Sequence, residues 1–319
     1  MTNALRNSRW NREPKHDLNG KPIIARIVDS DIEIFSTLVA YRYLPADYIA
    51  ALTGRSLSAI QARLEILSRK PNCYINRPHQ QRESAAANSR RLIYELDDRG
   101  GAELQALGFQ WERRRTAKNF AHHLLACTIA ASFELGAKAD GRIRIIDWPS
   151  LMASPQFPEA TRKLDMPNAI PFIRDGRSEY IFPDWLPFVI ERSFATRTYV
   201  FVAGFEADCG TEPLDSRDPN RTSIRSKFAA YLACMQQDVP RRHFGATTFM
   251  VPFVTTSESR MREMMALLAR LQPGEFGRRF LFKHVPAFGA IEPPKPADGH
   301  MLDEPWQRAG FPPFSFVDP

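Results

Sequence analysis

The chain has 319 residues, 44% of them apolar, which is enough for a core in one large domain or two ordinary ones; two is the expectation at this length. No apolar run approaches ~18 to 20 residues and the N-terminus carries no apolar h-region, which argues against a spanning helix or a secretory signal and for a cytoplasmic protein with no membrane partner. The net charge of +7 is confined to the first part of the chain: up to Lys118 there are 20 Lys+Arg against 13 Asp+Glu, and the remainder is balanced.

A basic excess gathered in one segment points to a polyanion, with nucleic acid before an acidic membrane surface; a solvated basic face is the plain alternative. Cys73, Cys127, Cys209 and Cys234 are widely spaced and include no CxxC pair, which argues against a zinc knuckle or a disulfide framework.

Residues 1–27 read as a flexible basic arm, with Arg6, Arg9, Arg12 and Lys15 and no periodicity. From Asp29 the spacing of Ile34, Phe35, Leu38 and Val39 predicts an amphipathic helix capped by Asp29, Ser30 or Asp31. Pro45 opens a short helix ended by Thr53-Gly54, and Ser56 caps a third helix from Leu57 to Arg69 whose apolar positions are Leu57, Ile60, Leu64 and Leu67.

That order resembles a helix-turn-helix, in which the last helix enters the major groove. On this reading Arg55, Ser58, Ala59, Gln61 and Arg63 face outward. Segments 72–75 and 91–96 alternate as strands around a polar loop, residues 77–90, which suggests a wing. Arg77, Gln80, Arg82, Arg90 and Arg91 would then meet phosphates, with Glu83 the one acid of the loop and His79 a polar wing residue. A helix from Asp97 to Leu107 closes the unit. Residues 28–110 therefore read as a winged helix-turn-helix domain for double-stranded DNA.

Residues 111–118, with Arg113-Arg114-Arg115, read as a basic linker. Residues 119–285 begin with an apolar helix from Asn119 to Leu135 containing His122-His123, one of which is expected to be buried or to face an acidic pocket. A strand from Arg142 to Trp148 follows, then an irregular proline-rich insertion from Pro149 to Arg177. Strands are expected at 182–190 and 198–206, a helix at 222–235, a strand at 247–254, a helix at 258–271 and a strand at 279–282. This alternation indicates an α/β sandwich, so the whole chain is α+β followed by α/β. Residues 286–319 read as an extended Pro-rich tail. Nothing resembles a phosphate-binding glycine loop, which argues against an NTP-driven mechanism.

Three acids gather near adjacent strand ends: Asp184 after Pro183, then Glu206 and Asp208. Lys227 and Tyr231 lie one turn apart on the next helix. The element order with these acids resembles the PD-(D/E)xK nuclease-like core, whose two acids bind Mg²⁺ and whose lysine, two residues beyond the second acid, positions the attacking water. Pro183-Asp184 match the PD and Glu206 the (D/E), while Asp208 stands where the lysine belongs and Lys227 is the candidate to replace it.

From about Asp29 to Phe282 the chain also resembles a replication-relaxation family protein. The residues carrying this are the N-terminal unit, His122-His123, Pro183-Asp184, Glu206-x-Asp208-x-x-Thr211, Lys227-x-x-x-Tyr231, and Phe253-Val254-Thr255-Thr256-Ser257 before a helix with Arg260. The resemblance implies a DNA-binding protein of a plasmid or mobile element, acting in control of replication, transfer or transcription, whose nuclease-like domain serves homodimer, partner or DNA contacts. The alternative it leaves open is a Mg²⁺- or Mn²⁺-dependent endonuclease or nickase, with Asp184, Glu206 and Asp208 as metal ligands and Lys227 as the catalytic cation. A third reading is structural, with Glu206 and Asp208 paired to Arg197 or Lys227.

Overall fold

The computed structural model describes residues 10, 12–82, 91–112, 119–216, 222–285 and 297–318. Arg6, Arg9, Glu83, Arg90 and Arg113-Arg114-Arg115, with most of the expected linker and the start of the expected tail, lie outside the described residues. The chain divides into two compact units, residues 1–135 with 290–298 and residues 136–289 with 299–319.

In the first unit, α1 (Asp29–Tyr41) buries Ile34, Phe35, Leu38 and Tyr41, a three- and four-residue spacing that places them on one face. Strand β1 (Leu44–Pro45) precedes α2 (Ala46–Thr53), and Gly54 then adopts φ +66°, a left-handed C-cap open to glycine at little steric cost. Helix α3 (Leu57–Ser68) starts where Ser56 accepts the Ala59 N–H at 3.3 Å, and it buries Ile60, Leu64 and Leu67 completely. Strands β2 (Ile75–Asn76) and β3 (Ile93–Leu96) and helix α4 (Asp98–Ala106) complete the unit, with an antiparallel sheet in the order β1-β3-β2.

Two expectations for this unit are corrected. Residues 72–74 are not a strand: Cys73 has φ +49°, and buried Asn72 instead takes the Ala25 N–H at 2.8 Å and donates to Ile23 O and Ile66 O at 2.9 and 3.0 Å. Residues 12–27 are not a loose arm either. Arg12 donates to Ser68 O at 3.2 Å and Asn76 Oδ1 at 3.0 Å, and Lys15 meets Glu65 at 2.8 Å. The segment is held by individual polar contacts, which leave no periodic signal in sequence.

Helix α5 (Phe120–Ala139) leads to β4 (Ile143–Ile146) in the second unit. The stretch 149–177, read as irregular, contains α6 (Trp148–Ala153), α7 (Glu159–Arg162), β5 (Ile170–Arg174) and the start of β6 (Arg177–Ile181). These elements are too short to show a period, and burial of Phe157, Ile170 and Phe172 fixes them. Strands β7 (Phe188–Ser193), β8 (Thr198–Ala203), β9 (Glu206–Ala207), β10 (Phe249–Thr255) and β11 (Phe280–His284) follow. Helices α8 (Ile224–Gln236), α9 (Val239–Phe244) and α10 (Glu258–Arg270) are interleaved with the last of them.

The main sheet is mixed. Strands β4, β7 and β8 run antiparallel in turn, whereas β8, β10 and β11 are parallel neighbours and β9 pairs with β10. Helices α8 and α10 supply the crossovers that parallel pairing demands. Between them and the sheet, Phe228 packs at ring-centroid distances of 4.9, 5.6 and 5.9 Å from Phe253, Phe280 and Phe282. Each such burial contributes roughly 1.5–3 kcal/mol.

The expected extended tail is also corrected. Residues after 299 form α11 (His300–Asp303), β12 (Trp306–Arg308) and β13 (Phe311–Phe314), and the two strands extend the main sheet beyond β11. Trp306 and Phe316 are fully buried, and Arg192 donates to Phe316 O and Asp318 O at 2.7 and 2.8 Å. Prolines at 312 and 313 disguise β13, because an edge position tolerates proline, and β12 is too short to show a period. Among the described residues no helix is long and apolar enough to cross a membrane.

Candidate functional site

Asp184 lies in the loop between β6 and β7 rather than on a strand as expected. Backbone contact places it: its N–H donates to Phe205 O at 3.0 Å, and its Oδ2 accepts the Ala207 N–H at 2.9 Å. Gly204 permits the approach, since a Cβ there would stand 2.8 Å from Pro183 Cγ. Glu206 on β9 is 1% exposed, and α8 brings Lys227 and Tyr231 onto it from one helical face.

The Lys227 ammonium is 2.7 Å from Glu206, 3.2 Å from Glu212 and 3.8 Å from Asp184. Tyr231 donates its hydroxyl to the other Glu206 oxygen at 2.5 Å. Three carboxylates thus surround one ammonium. Burial, and after it the Asp184 charge, push the Glu206 carboxyl up to about 8, against the lowering pull of Lys227 and Tyr231. Burial works against the charged Lys227, but Glu206, Asp184 and Glu212 together outweigh it and raise the lysine. Burial raises Tyr231 as well, which keeps it a hydroxyl donor.

Asp208 does not join this group. Arg260 on α10 grips it bidentately at 2.6 and 3.0 Å, the Thr255 hydroxyl donates at 2.7 Å and the Gly210 N–H at 3.1 Å. Arg197 pairs with neither acid; it stacks over Tyr199 with 4.6 Å to the ring centroid. Glu212 was not legible as a member, since it follows the strand in a loop and only the fold brings it to Lys227. Cys209 and Cys234 are both raised by burial to about 12, which leaves them poor nucleophiles. His122 is half-buried and His123 exposed.

The residues present do not fit the Mg²⁺ or Mn²⁺ that the nuclease resemblance implies. Lys227 already sits where a cation would neutralise Asp184 and Glu206, and both Asp208 oxygens are taken. Among the described residues no three His, Cys, Asp or Glu side chains converge as a metal site.

The outward residues of the first unit divide into two sets. Ser58, Ala59 and Gln61 are exposed on α3, and Arg55 is half-exposed at the turn before it. Arg82 stacks on Trp10, 5.1 Å from the ring centroid, and Gln80 is half-exposed in the 3-10 turn His79–Arg82. The other arginines are engaged internally. Arg63 binds the fully buried Asp31 at 2.7 and 2.5 Å, Arg77 is 6% exposed and donates to Ser68 Oγ at 2.8 Å, and Arg91 pairs with Asp47. Arg63 and Arg77 are thus corrected from expected DNA contacts to structural ties. A cleft of about 1000 Å³ in this unit is lined by Arg42, Asn76, His79, Glu95, Asp97 and Trp111 among others, and none of the acid-cluster residues borders it.

Comparison with protein-family models, with curated proteins and with solved structures finds no match to this chain.

Proposed function

We propose that the chain binds double-stranded DNA through its first unit, acting as a winged helix-turn-helix with α3 in the major groove, and that the nuclease-like second unit is not catalytic. The observation that carries this reading is the two-sided character of α3: Ile60, Leu64 and Leu67 are fully buried, while Ser58, Ala59 and Gln61 stand exposed after a tight turn, on a chain whose excess positive charge lies in that part. Small and amide side chains let a helix approach base edges closely, and Gln61 can pair with adenine. Control of replication or transfer on a mobile element is the setting that the resemblance to replication-relaxation proteins adds.

Fluorescence anisotropy with a labelled duplex tests the reading. Affinity should fall steeply with salt, and Gln61→Glu, which brings a carboxylate to the groove, should weaken it at least tenfold. A flat salt response, or unchanged binding by Gln61→Glu and Ser58→Glu, removes the proposal. Supercoiled plasmid incubated with the protein and Mg²⁺ or Mn²⁺ should stay intact. Nicking that disappears with Asp184→Ala would instead establish the endonuclease.

A further inference from the structure

The second unit carries a cluster of arginines that the acid site does not account for. In the 3-10 turn Gly274–Arg279, Arg278 lies 5.6 Å from the Phe311 ring centroid, and Arg308 of β12 lies 5.9 Å from the same ring and 5.6 Å from that of Phe314. Two guanidinium groups therefore share one aromatic ring. The Arg308 Nε donates to Pro312 O at 2.6 Å, which fixes the plane of its fork. Gly277 brings the turn backbone against the Phe311 ring, since a Cβ there would meet Phe311 Cε2 at 3.1 Å. Arg279 follows directly. Among the described residues no carboxylate is paired with Arg279 or Arg308, and the exposed Glu275 pairs only with Arg278. Burial, and then the Arg278 charge, hold both Arg279 and Arg308 below the usual arginine value.

A surface that gathers three like charges, with Arg279 and Arg308 half-buried and Arg278 and Arg308 over aromatic rings, bears a repulsion that an anion would relieve. Guanidinium groups packed against aromatic rings lose freedom of their stems and keep N–H donors available for phosphate oxygens. We propose that Arg278, Arg279 and Arg308 form a phosphate-binding surface on the second unit that takes the backbone of double-stranded DNA. The proposal rests on the reading that this protein binds DNA, and it adds contacts that position without reading sequence.

The test is the slope of log affinity against log salt for a duplex, measured on the full chain. Each phosphate that is no longer neutralised should lower the slope by about 0.9, so Arg278→Gln/Arg279→Gln/Arg308→Gln should lower it by about 2 to 3 while binding persists. Glu275→Gln, which frees Arg278, should steepen it. If the triple variant fails to fold, the Glu275→Gln slope decides alone. Slopes equal to wild type in the folded variants overturn the proposal. So does loss of binding to phosphatidylserine vesicles in the triple variant with its DNA slope unchanged, which would assign the surface to membranes. An effect of Gln61→Glu without one from the arginine variants sinks this inference and spares the α3 reading; the reverse pattern sinks the α3 reading alone. A wild-type chain that binds no duplex removes both.

Discussion

The Lys227 ammonium and the Glu206 carboxylate meet at 2.7 Å beneath the end of β9, one acid fully buried and one base held by two further carboxylates. Their stability consequences are separable from any role in DNA binding. Lys227→Met removes the ammonium that offsets Glu206, Asp184 and Glu212, drives the buried Glu206 carboxyl further up, and should cost about 3–5 kcal/mol at pH 9, where the wild-type pair is intact. Urea unfolding measures it. The cost should shrink at pH 6, where Glu206 takes a proton instead.

Glu206 also sets a pH dependence. Its folded value is about 8, and an unperturbed Glu titrates near ~4.3. Between those values the folded state holds the extra proton, so stability is highest below the unfolded value and declines as pH rises towards about 8, by at most ~1.4 kcal/mol per pH unit. Lys227, raised in the folded state, acts only above the usual lysine range, where its contribution is lost as pH rises. Glu206→Gln should flatten the decline between pH 5 and 8. An unaltered slope in that variant would assign the proton elsewhere.

Asp208 and Arg260 should behave as one structural unit. Asp208→Asn and Arg260→Gln are each expected to lower the unfolding midpoint, and the double variant should lose less than their sum, with a coupling of about 0.5–3 kcal/mol. Thr255→Val, which removes one donor, should cost about 1 kcal/mol. Additive losses would mean that the bidentate pair contributes nothing as a pair.

Arg63 is expected to affect folding before DNA. Arg63→Gln takes the guanidinium away from Asp31, which is fully buried and otherwise accepts the Val28 N–H at 3.0 Å, so the thermal unfolding midpoint should fall by several degrees. The salt slope of DNA binding by the folded fraction should not change. A reduced slope at unchanged stability would return Arg63 to the interface.

The C-terminal strands are part of the core. Trp306, fully buried with its indole N–H on Met301 O at 2.8 Å and Lys283 over its ring at 4.8 Å, should cost about 3–5 kcal/mol when changed to Ala. Chemical denaturation decides this, and a change below about 1 kcal/mol would mean that residues 306–314 are dispensable to the sheet.

The sequence by itself determined what depends on local periodicity and capping. The helices at 29–41, 46–53, 57–68, 224–236 and 258–270 follow from apolar spacing and, for the third, from Ser56 as N-cap, and the one-turn spacing of Lys227 and Tyr231 puts both on the face that meets Glu206. Tertiary structure alone decided which charges meet. Nothing local distinguishes Arg63, spent on Asp31, from an arginine that faces solvent, or marks that Asp208 turns to Arg260 while Glu212 turns to Lys227. Ion pairing across tens of residues is set by how the backbone is brought together and how far each group is buried, and neither quantity has a period in the sequence. The same reason hid β12 and β13: strands of three and four residues, the outer one carrying two prolines, are stabilised by the neighbours they pair with, and those neighbours are supplied only by the fold.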